Sequence, residues 1–273
     1  MDATTIRLKD NRRLSYAEYG NSDGVPVLLF HGRPGSRFLP VPEIEAAARS
    51  GIRLINPERP GYGWSDFQPD RTLLDWPDDV TALIDHLNIP KVGIIGPSAG
   101  GPYAAACAYK IPDRLTRVAI ISSKAPYNAF GEPDDTPTLA DAVTFANDIA
   151  NQFHSNPEAL VESIIVNLPN EGVDSIQSSF IKDWLLKGYE ETLRNGTEGL
   201  IQELMLLYSL PWVFPLAEIT ADVQIWHGEQ DTAVSIKEGE FLAQNIPNCQ
   251  FHRIPDAGHF IPGIMEQVFQ IFL

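Results

Sequence analysis

The segment Gly96-Pro97-Ser98-Ala99-Gly100 sets one serine among small residues. It follows the apolar run VGII and precedes the alanine-rich run GPYAAACAY. A strand that turns sharply into a helix would lift the Ser98 hydroxyl clear of a sheet. The same turn would aim the first helix amides at whatever that hydroxyl attacks. Such a turn holds its serine at positive φ, so larger neighbours would collide with the reversal. The chemistry on offer is nucleophilic attack on a carbonyl. Taken alone, the pentapeptide fits a plain glycine-rich connection equally well.

A serine hydroxyl is a weak nucleophile without a base beside it and an acid to orient the base. In VQIWHGEQD, Asp231 stands three residues beyond the glycine that ends an apolar run. In FHRIPDAGHF, His259 lies between the last such run and the last helical pattern. Competing acids fit less well. Asp222 precedes its run, Asp256 reads as a cap or turn residue, and the loop after RVAIISS offers Lys124 and no carboxylate. A further loop, His31-Gly32-Arg33-Pro34-Gly35, follows an early apolar run. Its Arg33 N–H, with the Ala99 N–H, could hold a developing oxyanion. His31 reads as a buried, hydrogen-bonded structural residue, yet with Gly32 it stands in the stretch expected to border a substrate.

The elements that must position these groups are legible in the apolar pattern. TTIRL and RLSYAEYG flank an Asp/Asn turn and predict a β-hairpin. VPVLLFHG, GIRLINPE, KVGIIG, RVAIISS, VQIWHG and CQFHRIPD are apolar on both faces, as central strands of a covered sheet are. Helical patterns separate them, at about 42–50, 73–87, 99–110, 237–245 and 261–272. Strand, loop and helix in repetition predict an α/β fold, a doubly wound and mostly parallel eight-stranded sheet. The alternation breaks between 123 and 223, where four segments read as helices. The chain thus divides into a core, 1–124 and 217–273, and an inserted α-helical cap, 125–216. Between 127 and 216 there are 14 Asp/Glu and 3 Lys/Arg, an uneven share of the net charge of −16. The re-entry segment LPWVFPL nominates Trp212 and Phe214 as pocket-lining residues.

The negative net charge disfavours nucleic acid and anionic membranes as partners. No run approaches the about 20 apolar residues of a membrane span, and no signal-like leader is visible, so the cytoplasm is the expected location. Cys107 and Cys249 form no metal-type pair, and Cys107 reads as a small core hydrophobe.

These features together resemble the α/β-hydrolase superfamily over nearly the whole chain. HGRPG, ERPGYGWSD, GPSAGG, Asp231 and His259 carry the resemblance. GPSAGGPYAAACAY with HGRPGS is similar to hydrolases and esterases near the proline-iminopeptidase and monoacylglycerol-lipase-like branches. Two positions depart from that pattern: Arg33 stands where a second glycine is usual, and Glu58 where an Asp is usual. The resemblance implies a Ser98–Asp231–His259 triad, an oxyanion hole of Arg33 and Ala99 amides, no metal and no cofactor. It implies hydrolysis of a small ester, thioester or lactone. An apolar pocket under an acidic cap suggests a neutral, moderately hydrophobic substrate, unless Arg33 or Arg37 faces inward. Carbon–carbon bond hydrolysis, cofactor-free lyase or oxygenase chemistry and a small-molecule receptor remain alternatives on the same fold, and the protein is expected as a monomer or homodimer.

Overall fold

The computed structural model describes residues 3–131, 136–166 and 175–273. Eight strands run in the order β1-β2-β4-β3-β5-β6-β7-β8. The hairpin of β1 (Thr4–Arg7) and β2 (Arg13–Gly20) forms one edge and pairs antiparallel with β4 (Ile52–Pro57). The other ladders, through β3 (Val25–Leu29), β5 (Val92–Pro97), β6 (Leu115–Ile121), β7 (Val223–Gly228) and β8 (Cys249–Ile254), are parallel. The expected eight-stranded, mostly parallel sheet is the one observed.

Period-two alternation explains why the strands are apolar throughout. Leu28, Ile94, Val118, Ile120 and Ile225 pack on one face, with α2 (Trp76–His86), α3 (Gly101–Lys110) and α8 (Ile236–Asn245). Val27, Leu29, Ile95, Ala119 and Trp226 pack on the other, with α1 (Val41–Arg49) and α9 (Ile264–Gln270). Both faces are covered, so neither can be polar. Cys107 is a fully buried member of the first core, and burial pushes its thiol well above the ordinary value.

Two helices begin later than their patterns suggest. The expected helix at 99–110 opens with a single 3₁₀ turn, Ser98–Gly100, before α3. The one expected at 261–272 starts only after Gly263, whose φ of 71° cannot belong to a right-handed helix. Between β6 and β7 lie α4 (Leu139–Ser155), α5 (Pro157–Val166), α6 (Ser175–Thr192) and α7 (Glu198–Tyr208), with no strand among the described residues. The ends of two expected helices near 167–174 lie outside the described residues.

Two buried ion pairs join this helical insertion to the loops above the sheet. Arg37 Nη1 donates to Glu58 at 2.7 Å and to Glu191 of α6 at 2.9 Å. Arg59 donates to both carboxylate oxygens of Glu203 of α7, at 2.7 and 2.9 Å. Arg59 and Glu203 are both 0% exposed. Glu58 also accepts from the Trp64 amide at 2.8 Å. The longer acid at this position thereby reaches Arg37 and the turn at once. No described helix is long and apolar enough to cross a membrane.

Removing one member of a buried pair leaves the other charged and unsolvated, typically at a cost of ~3–5 kcal/mol. Glu203→Ala should therefore lower unfolding stability by about that amount in denaturant titration. The double variant Arg59→Met with Glu203→Leu should regain most of the loss, because both charges leave together.

Candidate active site

Ser98 follows the last residue of β5 at φ 49°, a left-handed conformation uncommon for serine. Its neighbours must be small for reasons visible in the packing. A Cβ on Gly100 would overlap the Phe30 carbonyl oxygen. One on Gly96 would come within 2.6 Å of the Gly100 carbonyl oxygen. The elbow is pinned from β6 by Ser123, whose hydroxyl donates to the Ser98 carbonyl at 2.7 Å.

The loops after β7 and β8 bring the other two groups to this elbow. They approach so closely at Gly228 that any Cβ there would overlap the carbonyls of Ala257 and Gly258. The amides of Glu229 and Gln230 donate to Ile254 and Ala257 and lock the two loops together. His259 Nδ1 lies 2.9 Å from Asp231 Oδ2, and His259 Nε2 lies 3.0 Å from Ser98 Oγ. Asp231 is ionised, so Nδ1 carries the hydrogen it accepts, and Nε2 keeps a lone pair for the Ser98 hydroxyl.

Asp231 is held by more than His259. Its Oδ1 accepts from the amides of Ala233 and Val234 at 2.9 and 2.8 Å. His227 Nε2, 3.3 Å from Oδ2, also bonds the Val234 carbonyl at 2.9 Å. Burial acts to raise the Asp231 pKa. Hydrogen bonds from His227, His259 and the Val234 amide outweigh it and hold the carboxyl well below the usual range. His227 lies in β7, four residues before Asp231, and nothing in the apolar run VQIWHG marked it as a partner of Asp231.

The loop after β3 closes the other side. A Cβ on Gly32 would stand 3.6 Å from that of Ser98, so this backbone borders the serine directly. His31 turns away from the cleft and is 3% exposed. The Arg59 amide donates to its Nε2 at 3.3 Å, and its Nδ1 pairs with the Gly32 carbonyl at 2.9 Å. Burial, with the Arg59 and Arg71 charges, pushes the His31 pKa well down, so the ring is neutral. Arg59 also donates to the carbonyls of His31 and Gly32. In a trans peptide the C=O and the following N–H point opposite ways. Holding the Gly32 carbonyl toward Arg59 thus turns the Arg33 N–H away from it. Among the described residues, no hydrogen bond engages the Arg33 or Ala99 amide.

Arg33, Ser98 and Ala99 line a cleft whose other walls are Leu207 and Tyr208 of α7, Lys124 and Val234. Trp212 and Phe214, expected to border the substrate, do not line it. They stack on each other at 5.5 Å, and Phe214 stacks on Tyr109 at 5.3 Å, within the main core. Tyr109 sits on the last turn of α3, about 12 Å along the axis from its first residue. An aromatic re-entry segment is anchored there by the core, and α7 supplies the walls instead. Arg37, a candidate for facing inward, is committed to Glu58 and Glu191.

A serine on a strand–helix elbow, over a doubly wound sheet and within reach of a histidine and an acid from later loops, defines a hydrolase of the α/β class. Residues 25–263 match the family model described as alpha/beta hydrolase fold, and the chain belongs to that family. It is 26% identical over 251 residues to 2-hydroxymuconate semialdehyde hydrolase of Pseudomonas putida, covering 89% of this chain and 83% of that one. It is 26% identical over 246 residues to 3-oxoadipate enol-lactonase 1 of Acinetobacter baylyi, covering 87% and 83%. Among solved structures, an esterase from Thermogutta terrifontis superposes with a TM-score of 0.68 at 26% identity, covering 100% of this chain and 96% of that one.

The lowered Asp231 pKa has a signed consequence. A carboxyl whose folded pKa is depressed stabilises the fold fully above its unfolded value of about 4 and loses that contribution as pH falls below it. The stability difference between wild type and Asp231→Asn should be constant from about pH 5 to 8 and shrink below about pH 4. Urea titrations across that range measure it.

Proposed function

We propose that the protein is a serine hydrolase that cleaves a small ester, thioester or lactone through an acyl-enzyme on Ser98. The observation that carries this reading is the continuous hydrogen-bonded chain Ser98–His259–Asp231 on a positive-φ elbow, beside two uncommitted amides. His259 Nε2 takes the Ser98 proton as Oγ attacks the acyl carbon. The amides of Arg33 and Ala99 receive the oxyanion, and one such donor contributes about 10²–10³ in turnover. As the bond to the leaving group breaks, His259 returns the proton to it. Water then gives a proton to His259 and attacks the acyl-enzyme. The acid departs and Oγ recovers its hydrogen. Asp231 holds the imidazole in the productive tautomer and stabilises its charged form.

Helices α4–α7 act as a cap in this reading, with Leu207 and Tyr208 of α7 over the serine. Leu207 and Val234 make the cleft partly apolar, which suits a moderately hydrophobic acyl group. A second reading is carbon–carbon bond hydrolysis by the same three residues, favoured by the likeness to 2-hydroxymuconate semialdehyde hydrolase. The name of the second relative, an enol-lactonase, supports the first.

Ser98→Ala should abolish turnover of para-nitrophenyl butyrate and labelling by a fluorophosphonate probe, with an unchanged circular dichroism spectrum. Wild-type activity in that variant would remove Ser98 from the mechanism. Asp231→Asn should keep the fold and lose about 10⁴ in kcat, as expected when the imidazole tautomer is wrong.

A further inference from the structure

Arg33 stands where the resemblance led to a glycine, and its side chain borders the Ser98 cleft. Among the described residues, no carboxylate lies within ion-pair distance of its guanidinium. Its hydrogen bond runs from Nη2 to the Tyr208 hydroxyl at 3.2 Å, and the Phe145 and Tyr208 rings flank it at 5.7 and 5.5 Å. Neighbouring cations are already matched. Lys124, on the same cleft, donates to Glu238 at 2.7 Å, while Arg37 and Arg59 hold Glu58, Glu191 and Glu203. Arg71 is buried behind Tyr103, to whose hydroxyl it donates, and does not line the cleft. Glu203, an acid whose field reaches Arg33, is gripped by both arms of Arg59. Among the described residues, the cleft thus carries one cation with no anion against it. The Arg33 guanidinium is part-buried with no carboxylate against it among the described residues, and its planar fork matches a carboxylate.

We propose that Arg33 binds a free carboxylate on the substrate, so that the ester, thioester or lactone cleaved at Ser98 is the monoanion of a dicarboxylic or keto acid. This rests on the acyl-enzyme reading above. The Arg33 amide and guanidinium then hold two parts of one molecule, the reacting carbonyl and the free acid, and fix their separation. The acidic surface of the insertion does not oppose this. Exposed charges fade over about 8 Å at physiological ionic strength, whereas a contact inside a partly buried cleft is screened much less.

The test compares para-nitrophenyl hemiglutarate with para-nitrophenyl pentanoate, which are similar in length and differ in charge. Wild type should favour the hemiglutarate in kcat/KM by about tenfold or more. Arg33→Met should bring the ratio to one or below, and Arg33→Lys should leave it in between. Wild type favouring the pentanoate, or an unchanged ratio in Arg33→Met, would overturn the proposal. Should Arg33→Met fail to fold, glutarate and pentanamide compared as inhibitors of wild-type pentanoate hydrolysis decide it. Stronger inhibition by glutarate supports the proposal, and equal or weaker inhibition sinks it. Ser98→Ala separates the two readings. If that variant is inactive and Arg33→Met keeps the charge preference, only the role of Arg33 falls. If Ser98→Ala stays active, the acyl-enzyme falls first.

Discussion

A carboxylate with no access to water, Glu203, meets a guanidinium with none, Arg59, and much of the site's geometry follows from that contact. Arg59 reaches from the loop after β4 to the carbonyls of His31 and Gly32. It thereby sets which way the next amide points. Glu203 belongs to α7, whose following turns carry Leu207 and Tyr208 to the cleft. Tyr103 of α3 lies under the same guanidinium at 4.8 Å, and its hydroxyl joins Arg71 to the network. One buried pair therefore touches the loop that borders the serine, the helix that starts at the serine and the helix that roofs it. Such a pair contributes little net stability compared with apolar residues of the same volume. Its value here is directional, because one guanidinium reaches both Glu203 and the two loop carbonyls.

The elbow is the second fixed point, and its constraint is steric. Phe30, Ala104, Ser123 and the Gly100 carbonyl crowd the turn until hydrogen is the only side chain that fits at Gly96, Gly100 and Gly101. The strain of a serine at positive φ is offset by the packing of α3, whose first eight residues are all buried. Chemistry and core are continuous at this point.

The sheet was legible because strands such as KVGIIG and RVAIISS are apolar on both faces, and only doubly covered strands need to be. The juxtaposition of Ser98, Asp231 and His259 was legible because each stands just past the carboxyl end of a strand. In a parallel sheet those ends gather on one edge. Trp212 and Phe214 pack in the core and not along the described cleft, because aromatic character signals burial without saying against what. Tyr109, on the far end of α3, decided it. The pairing of Arg59 with Glu203 was not read from the sequence, although a single acid within the apolar run LIQELMLL is a signal that it needs a buried partner. The His227 contact with Asp231 depends on how the loop after β7 folds back, and no local pattern reports that.

The pairs Arg37–Glu191 and Arg59–Glu203 also bear on motion. They lie on α6 and α7, two different helices of the insertion. A rigid swing of the insertion away from the sheet would break both together. Because each pair runs from a loop above the sheet to a different helix, α6 and α7 would both have to leave their buried partners in the same event.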